Sequence, residues 1–378
     1  MIKSLNHPAL EDALPRVGLK QSDIARELGV SRAAVSKWFQ GASLPEPDKL
    51  LRLGMLLGLS FDELAVTEVK SAIPVVSFRK KGGRITRDRH LEKAKETGEL
   101  LKRLVKYLPE KGLAAPPVLR DPRCEYDYVQ KAATETRREM GIEESSKIRY
   151  EDLIDKFARL HAVIIPVLWG EQKYHGNALN IHLPDSGVTW IFLNLDSNAI
   201  DFKFWMAHEL GHALAPTLDG EEGEDFADMF AQALLFPEHV AGKVWRRLTR
   251  LQGIPQRVNA VKRVARDLEI SPITIRYAIE AFEHARGLNT VDLGFQNSFM
   301  GAAKNVAKEH RTITEVLFGE SRPKPSDYAS IGRKVFDSQL FEALRLFCAG
   351  EKGAEHFIHS VLDLPLGDAK ALTRELSK

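Results

Sequence analysis

Apolar positions recur at helical spacing along most of this chain, and runs that stay apolar for six or seven residues are few. Ile24, Ala25 and Leu28 make one stripe over Gln21–Leu28, and Val35 with Trp38 and Phe39 makes a second over the segment that begins at Arg32. Gly29 suits the left-handed conformation that ends a helix, and Ser31 suits the cap of the next one. Helix, tight glycine turn and capped helix form a helix-turn-helix pattern. Helical spacing returns at Leu91–Leu108, at Tyr126–Met140, which stops near Gly141, and at Tyr150–Leu160. The runs Ala162–Leu168 and Thr189–Asn194 predict buried strands, and Tyr174–Pro184 predicts an edge strand between them. Phe202–Leu214 predicts a buried helix, and a second helix opened by Glu224 is expected to pack on it.

Residues 264–276 repeat the register of Ile24–Ser36. Glu269 stands where the first copy has its turn glycine, and Pro272 opens the second helix, a position that tolerates proline. This unit is expected either to pack on its neighbours or to bind a partner. Phe336, Leu340, Phe341, Leu344 and Phe347 form an amphipathic stripe that predicts core or a dimer surface. Pro74, the turn at Lys80-Lys81-Gly82-Gly83 and the stretch Ala114-Ala115-Pro116-Pro117 mark breaks. The expected organisation is a helix-turn-helix domain over 8–66, a basic helical linker over 67–117 and a catalytic domain over 118–245. A helix-turn-helix-like unit over 246–288 and a helical region over 289–378 complete it. The predicted fold class is α+β and mostly helical: an all-α N-terminal domain, a central domain with a small sheet, and a helical C-terminal region.

Composition narrows the setting without naming a partner. The 378 residues are 44% hydrophobic and 28% charged, with a formal net charge of +2, as in ordinary globular proteins. Two cysteines, Cys124 and Cys348, far apart in sequence, give no disulfide framework and suit a reducing cytoplasm. No apolar run reaches transmembrane length, so a cytoplasmic protein without a membrane partner is expected. The basic stretch before residue 106 reads as a solvated helix face.

Candidate chemistry sits in Phe202–Leu214. His208 and His212 are four residues apart and share one helical face, so both can bind a single metal ion. Glu209 is rotated by about 100° from His208 and can act as a general base toward a water activated by that ion. Two histidines need a third ligand. Asp219, Glu221, Glu222, Glu224, Asp225 and Asp228 lie just beyond. Glu224 is distinguished by Asp228 one turn later, which can hydrogen-bond a ligand histidine's second ring nitrogen and hold its tautomer. Glu221, Glu222 and Asp225 read as a solvated helix N-terminus. Tyr174, His175, His182 and His239 are candidates for an oxyanion partner.

Two family resemblances follow from these motifs. Gln21, Ala25, Leu28-Gly29-Val30-Ser31, Val35-Ser36, Trp38 and Gly41 resemble the phage-repressor (Xre/Cro-like) family. That resemblance implies DNA contacts by Gln21, Ser31, Arg32, Ala33, Ser36 and Lys37, with Arg32 as base reader and Lys37 on phosphate. It also implies a homodimer on double-stranded DNA. Phe204 through His212, followed by Glu224-x-x-Ala-Asp-x-Phe-Ala-x-x-Leu-Leu-x-Pro, resembles the ImmA/IrrE metallopeptidases, with Phe236 in place of the usual methionine. The Tyr128–Gly141 segment, the strand pair and Ser77-Phe78-Arg79-Lys80 support it. The resemblance covers roughly 75–285 and implies a zincin-like fold in which His208, His212 and Glu224 hold zinc, or manganese, beside Glu209. Its implied role is cleavage of a repressor or other regulatory protein after a stress signal. A regulator whose peptidase fold senses without cutting is the alternative.

Overall fold

The computed structural model describes residues 4–40, 43, 45–60, 64–66, 74–77, 88–109, 118–170, 177–294, 299–320 and 322–378. The turn expected at Lys80–Gly83, the break at Ala114–Pro117, Gly41, and the candidates Tyr174 and His175 lie outside them. The chain divides into two compact units, Met1–Ala72 and Ile73–Lys378.

The first unit contains α1 (His7–Val17), α2 (Gln21–Leu28), α3 (Arg32–Phe39) and α4 (Pro47–Leu57), with the short antiparallel pair β1 (Ser4–Leu5) and β2 (Ala65–Val66). Its core collects Leu10, Ile24, Leu28, Val35, Trp38, Leu53 and Leu57. Gly29 adopts φ 65° at the end of α2, and the Ser31 hydroxyl accepts a hydrogen bond from the Ala34 amide at 3.1 Å. Both local expectations for the turn therefore hold.

The second unit is built on a four-stranded sheet in the order β3 (Val75–Ser77), β5 (Ala178–Leu183), β6 (Val188–Asn194) and β4 (Ala162–Val167). The first two pairings are antiparallel, and β6 runs parallel to β4. Alternate residues serve two cores. Ala162, Ile164, Ile191 and Leu193 face one, and Val163, Ile165, Trp190 and Phe192 the other. Covering the sheet on both faces explains why β4 reads as a continuous apolar run. The second core receives α5 (Asp88–Val105) together with α15 (Pro325–Lys334), α16 (Leu340–Gly350), α17 (Ala354–Leu362) and α18 (Leu366–Leu376). The stripe Leu340, Phe341, Leu344 and Phe347 is buried in that core, while Phe336 belongs to the first.

The first core receives α6 (Tyr126–Glu139), α7 (Tyr150–Arg159), α8 (Ala199–Leu214), α9 (Gly220–Leu235), α10 (Glu238–Thr249), α11 (Ile254–Leu268), α12 (Pro272–Ala285), α13 (Met300–Lys308) and α14 (Ile313–Phe318). Two expectations are corrected here. The strand β5 is not at an edge, because Val75–Ser77, within the stretch expected to be a helical linker, pairs with His182–Asn180. Glu224 does not open its helix, which begins four residues earlier at Gly220; Glu221 and Glu222 in that first turn complement the helix dipole.

The second helix-turn-helix pattern is realised by α11 and α12, with Glu269 in the left-handed conformation at φ 54° and Ser271 capping α12. A glutamate there carries a backbone cost that glycine would avoid. Ion pairs of Glu269 with Lys147 at 2.6 Å and with Lys203 at 3.3 Å offset it. Lys203 is fully buried on α8, so this turn is tied to the helix bearing His208 and His212.

Candidate metal centre and nucleic-acid interface

Helix α8 is buried around almost its whole circumference, as expected for a helix apolar on every side. Asn198 caps it by accepting from the Ile200 amide at 3.2 Å. Helix α9 packs directly across it at Gly211. A Cβ on Gly211 would lie 2.9 Å from the Ala227 Cα, so only glycine permits this approach. The close crossing brings Glu224 to the two histidines.

Three donor groups converge, with the two Glu224 oxygens each facing one imidazole. His208 Nε2 lies 3.2 Å from His212 Nε2, His212 Nε2 lies 3.2 Å from Glu224 Oε1, and His208 Nε2 lies 3.6 Å from Glu224 Oε2. Ligands placed tetrahedrally at zinc bond lengths are about 3.3 Å apart, so the separations match a shared cation. These three residues form a group that could hold a metal ion. The donor set of two imidazoles and one carboxylate leaves a fourth position open, as catalytic sites require.

Asp228 completes the arrangement from behind. Its Oδ1 lies 2.9 Å from His208 Nδ1, a contact that would keep a proton on Nδ1 and leave Nε2 free to ligate. Among protein groups alone, the shifts follow from these contacts. Burial works against charge on His208, but hydrogen bonds to Asp228 and Glu224 outweigh it and raise the imidazole to about 9. Burial lowers His212 despite its bond to Glu224. Burial would raise Glu224, yet the two histidines bring it down to about 2. Replacing Asp228 with alanine is expected to weaken zinc affinity about 10–100-fold by freeing the His208 ring, measurable by competition with a chromogenic chelator.

Glu209 is buried on the same helix, and burial raises its carboxyl to about 8. Asn180 of β5, itself 4% exposed, stands near that carboxylate and favours its charged form. Sequence reasoning gave Asn180 no role. The available signal was a lone amide inside the otherwise apolar alternation of Ala178–Leu183. Gly211 was likewise quoted only as a motif position, and the helix crossing shows what it does. Trp205 stands edge-on to His208, with ring centroids 5.8 Å apart.

Other candidates fall elsewhere. Glu221, Glu222 and Asp225 are exposed in the first turns of α9. His182 pairs with the Thr189 hydroxyl at 2.9 Å, and His239 with the Ser145 hydroxyl at 3.0 Å. Neither is brought to the donor cluster by these contacts.

In the N-terminal unit, Ser31, Arg32, Ala33 and Lys37 are exposed, and Gln21 and Ser36 are half-buried. On α3, positions 32, 33, 36 and 37 fall within an arc of about 140°, opposite the buried Val35 and Trp38. One solvent-facing side of α3 therefore carries the guanidinium, the ammonium and two small side chains.

Comparison with known proteins finds two family matches. A helix-turn-helix family model matches residues 14–64. A peptidase family M78 model, described as IrrE N-terminal-like domain, matches residues 171–280, which include every residue of the donor cluster. No curated protein matches the chain. In one polypeptide, then, the chain joins an Xre-like helix-turn-helix domain to a peptidase-family domain of the IrrE/ImmA-like kind.

Proposed function

We propose that this protein is a metal-dependent endopeptidase which, while attached to DNA through its N-terminal unit, hydrolyses a peptide bond in a repressor or other regulatory protein and so relieves repression under stress. The observation that carries this reading is the convergence of His208, His212 and Glu224 at tetrahedral spacing, with Asp228 behind and Glu209 buried alongside. Zinc suits the nitrogen and oxygen donors best, and manganese is compatible with them.

A divalent cation held there would supply Lewis acidity toward water and the scissile carbonyl. The chain's own residues supply the rest. Glu209 takes the proton as water attacks and returns it to the leaving amine. A carboxylate destabilised by burial is a stronger base than one in water, which suits the first of those transfers. Asn180 stands beside the Glu209 carboxylate, and Asp228 faces the Nδ1 side of the His208 ring. At the other end of the chain, Arg32 reads a base edge in the major groove, Lys37 meets phosphate, and a homodimer spans two half-sites.

The test compares protein N-termini across cells carrying the wild type or Glu209→Gln, before and after DNA damage or oxidative stress. New termini in one regulator, absent from the variant, name the substrate. If none arise while Arg32→Ala still alters transcription, the protein is a DNA-binding regulator and the metal cluster is sensory.

A further inference from the structure

Among the described residues the outermost strand of the sheet is β3, the first element of the second unit, and it lies beside the candidate catalytic centre. Val75, Val76 and Ser77 pair antiparallel with His182, Ile181 and Asn180. Asn180 is the residue whose side chain stands near Glu209, so the pairing of Ser77 with Asn180 places β3 next to the general base. The same strand packs against α9, which carries Glu224 and Asp228. A polypeptide that presents its scissile bond to such a centre must be extended, and an extended peptide gains its main-chain hydrogen bonds by adding to a sheet edge.

We infer that β3 is an intramolecular occupant of the sheet edge that a polypeptide substrate uses, so the chain holds its own centre closed until β3 leaves. This inference rests on the peptidase reading above. It also describes the substrate: an extended segment, antiparallel to β5, with a β-branched residue opposite Ile181 where Val76 now packs. Among the described residues the pairing spans three residues, fewer than a longer competing strand would offer. One contact clamps it. A Cβ on Gly98 of α5 would lie 2.6 Å from Pro74 Cβ and 3.1 Å from Ile181 Cγ2, so α5 presses on the residue that leads into β3. The proline ring cannot yield as a flexible side-chain tip would, so Gly98→Ala displaces the entry to the strand.

The test uses the full-length, zinc-loaded protein and unfolded β-casein labelled with fluorescein. Binding is read by anisotropy in the Glu209→Gln background, where cutting does not interfere, and cleavage is read separately with Glu209 intact. Gly98→Ala is expected to bind casein at least 10-fold more tightly than the chain with Gly98 and to cut it correspondingly faster. A second variant, Val75→Cys with His182→Cys, places two thiols on directly opposed residues. Oxidation should abolish casein binding, and reduction should restore it within the same protein. Equal casein affinity in the oxidised and reduced forms overturns the inference, as does equal affinity with and without Gly98→Ala in a folded variant. Release-dependent binding without any cleavage leaves the self-occupied edge standing and counts against the peptidase reading instead.

Discussion

Glu209→Gln is expected to reduce peptide hydrolysis by about 10²–10⁴-fold, the usual contribution of a positioned general base. Glutamine keeps the shape of the side chain, so the helix and the donor cluster remain intact. It cannot accept a proton from attacking water. The loss should therefore fall on kcat, with substrate affinity and zinc content unchanged. The measurement pairs single-turnover cleavage of the identified regulator with metal stoichiometry on the same sample. A variant that loses zinc together with activity would make Glu209 a determinant of the metal site rather than its base. Cleavage at the wild-type rate would remove Glu209 from the chemistry altogether. The geometry favours the first outcome, because Glu209 is 2% exposed and its burial raises the carboxyl to about 8. It also lies on the side of α8 that faces β5, whereas the donor atoms of His208 and His212 converge on α9.

Much of this arrangement was legible in the residues because it is local. Periodicity alone places α2, α3 and α6–α9 within a few residues, and Gly29 and Ser31 mark their turn and cap by chemistry that needs no distant partner. His208 and His212 share a helical face by arithmetic, and Asp228 follows Glu224 by one turn. What escaped was set by tertiary packing. Nothing in Val75–Ser77 itself says that it will cover β5, since strand order depends on contacts about a hundred residues apart in sequence. Asn180 acquires its role from a helix twenty-nine positions later. Glu269 reads as a broken turn until Lys147 and Lys203 are seen beside it, after which its positive φ makes sense. Gly211 looks like a motif letter until Ala227 is found 2.9 Å from its missing Cβ.

Glu224→Ala should separate the cluster's metal role from its role in the fold. Its carboxylate lies within 3.6 Å of both imidazole nitrogens, and no other acid is brought to that side of the cluster by the contacts described. With the carboxylate gone, two histidines remain, too few to hold a catalytic metal alone. Zinc affinity is therefore expected to fall by at least 10³-fold, and hydrolysis with it. The fold should survive, because the packing of α9 on α8 comes from Phe226, Ala227, Phe230 and Ala231 rather than from Glu224. Removal of the carboxylate also removes one of the two hydrogen bonds that raise His208, so that imidazole should titrate at lower pH in the metal-free variant. The sign follows from linkage. A histidine held above its unfolded value stabilises the folded state below the unfolded pKa, and that contribution is lost as pH rises through the folded pKa of about 9. In metal-free Glu224→Ala the same loss should occur at lower pH. Thermal unfolding followed across pH 5–10 with a chelator present reads that displacement, and equilibrium dialysis against zinc reads the affinity. Wild-type zinc stoichiometry in the variant would transfer the third ligand to another acid of the 219–228 stretch, most directly Asp228. That outcome would also undo the tetrahedral argument, since Asp228 Oδ1 meets His208 at Nδ1, on the far side of the ring from His212.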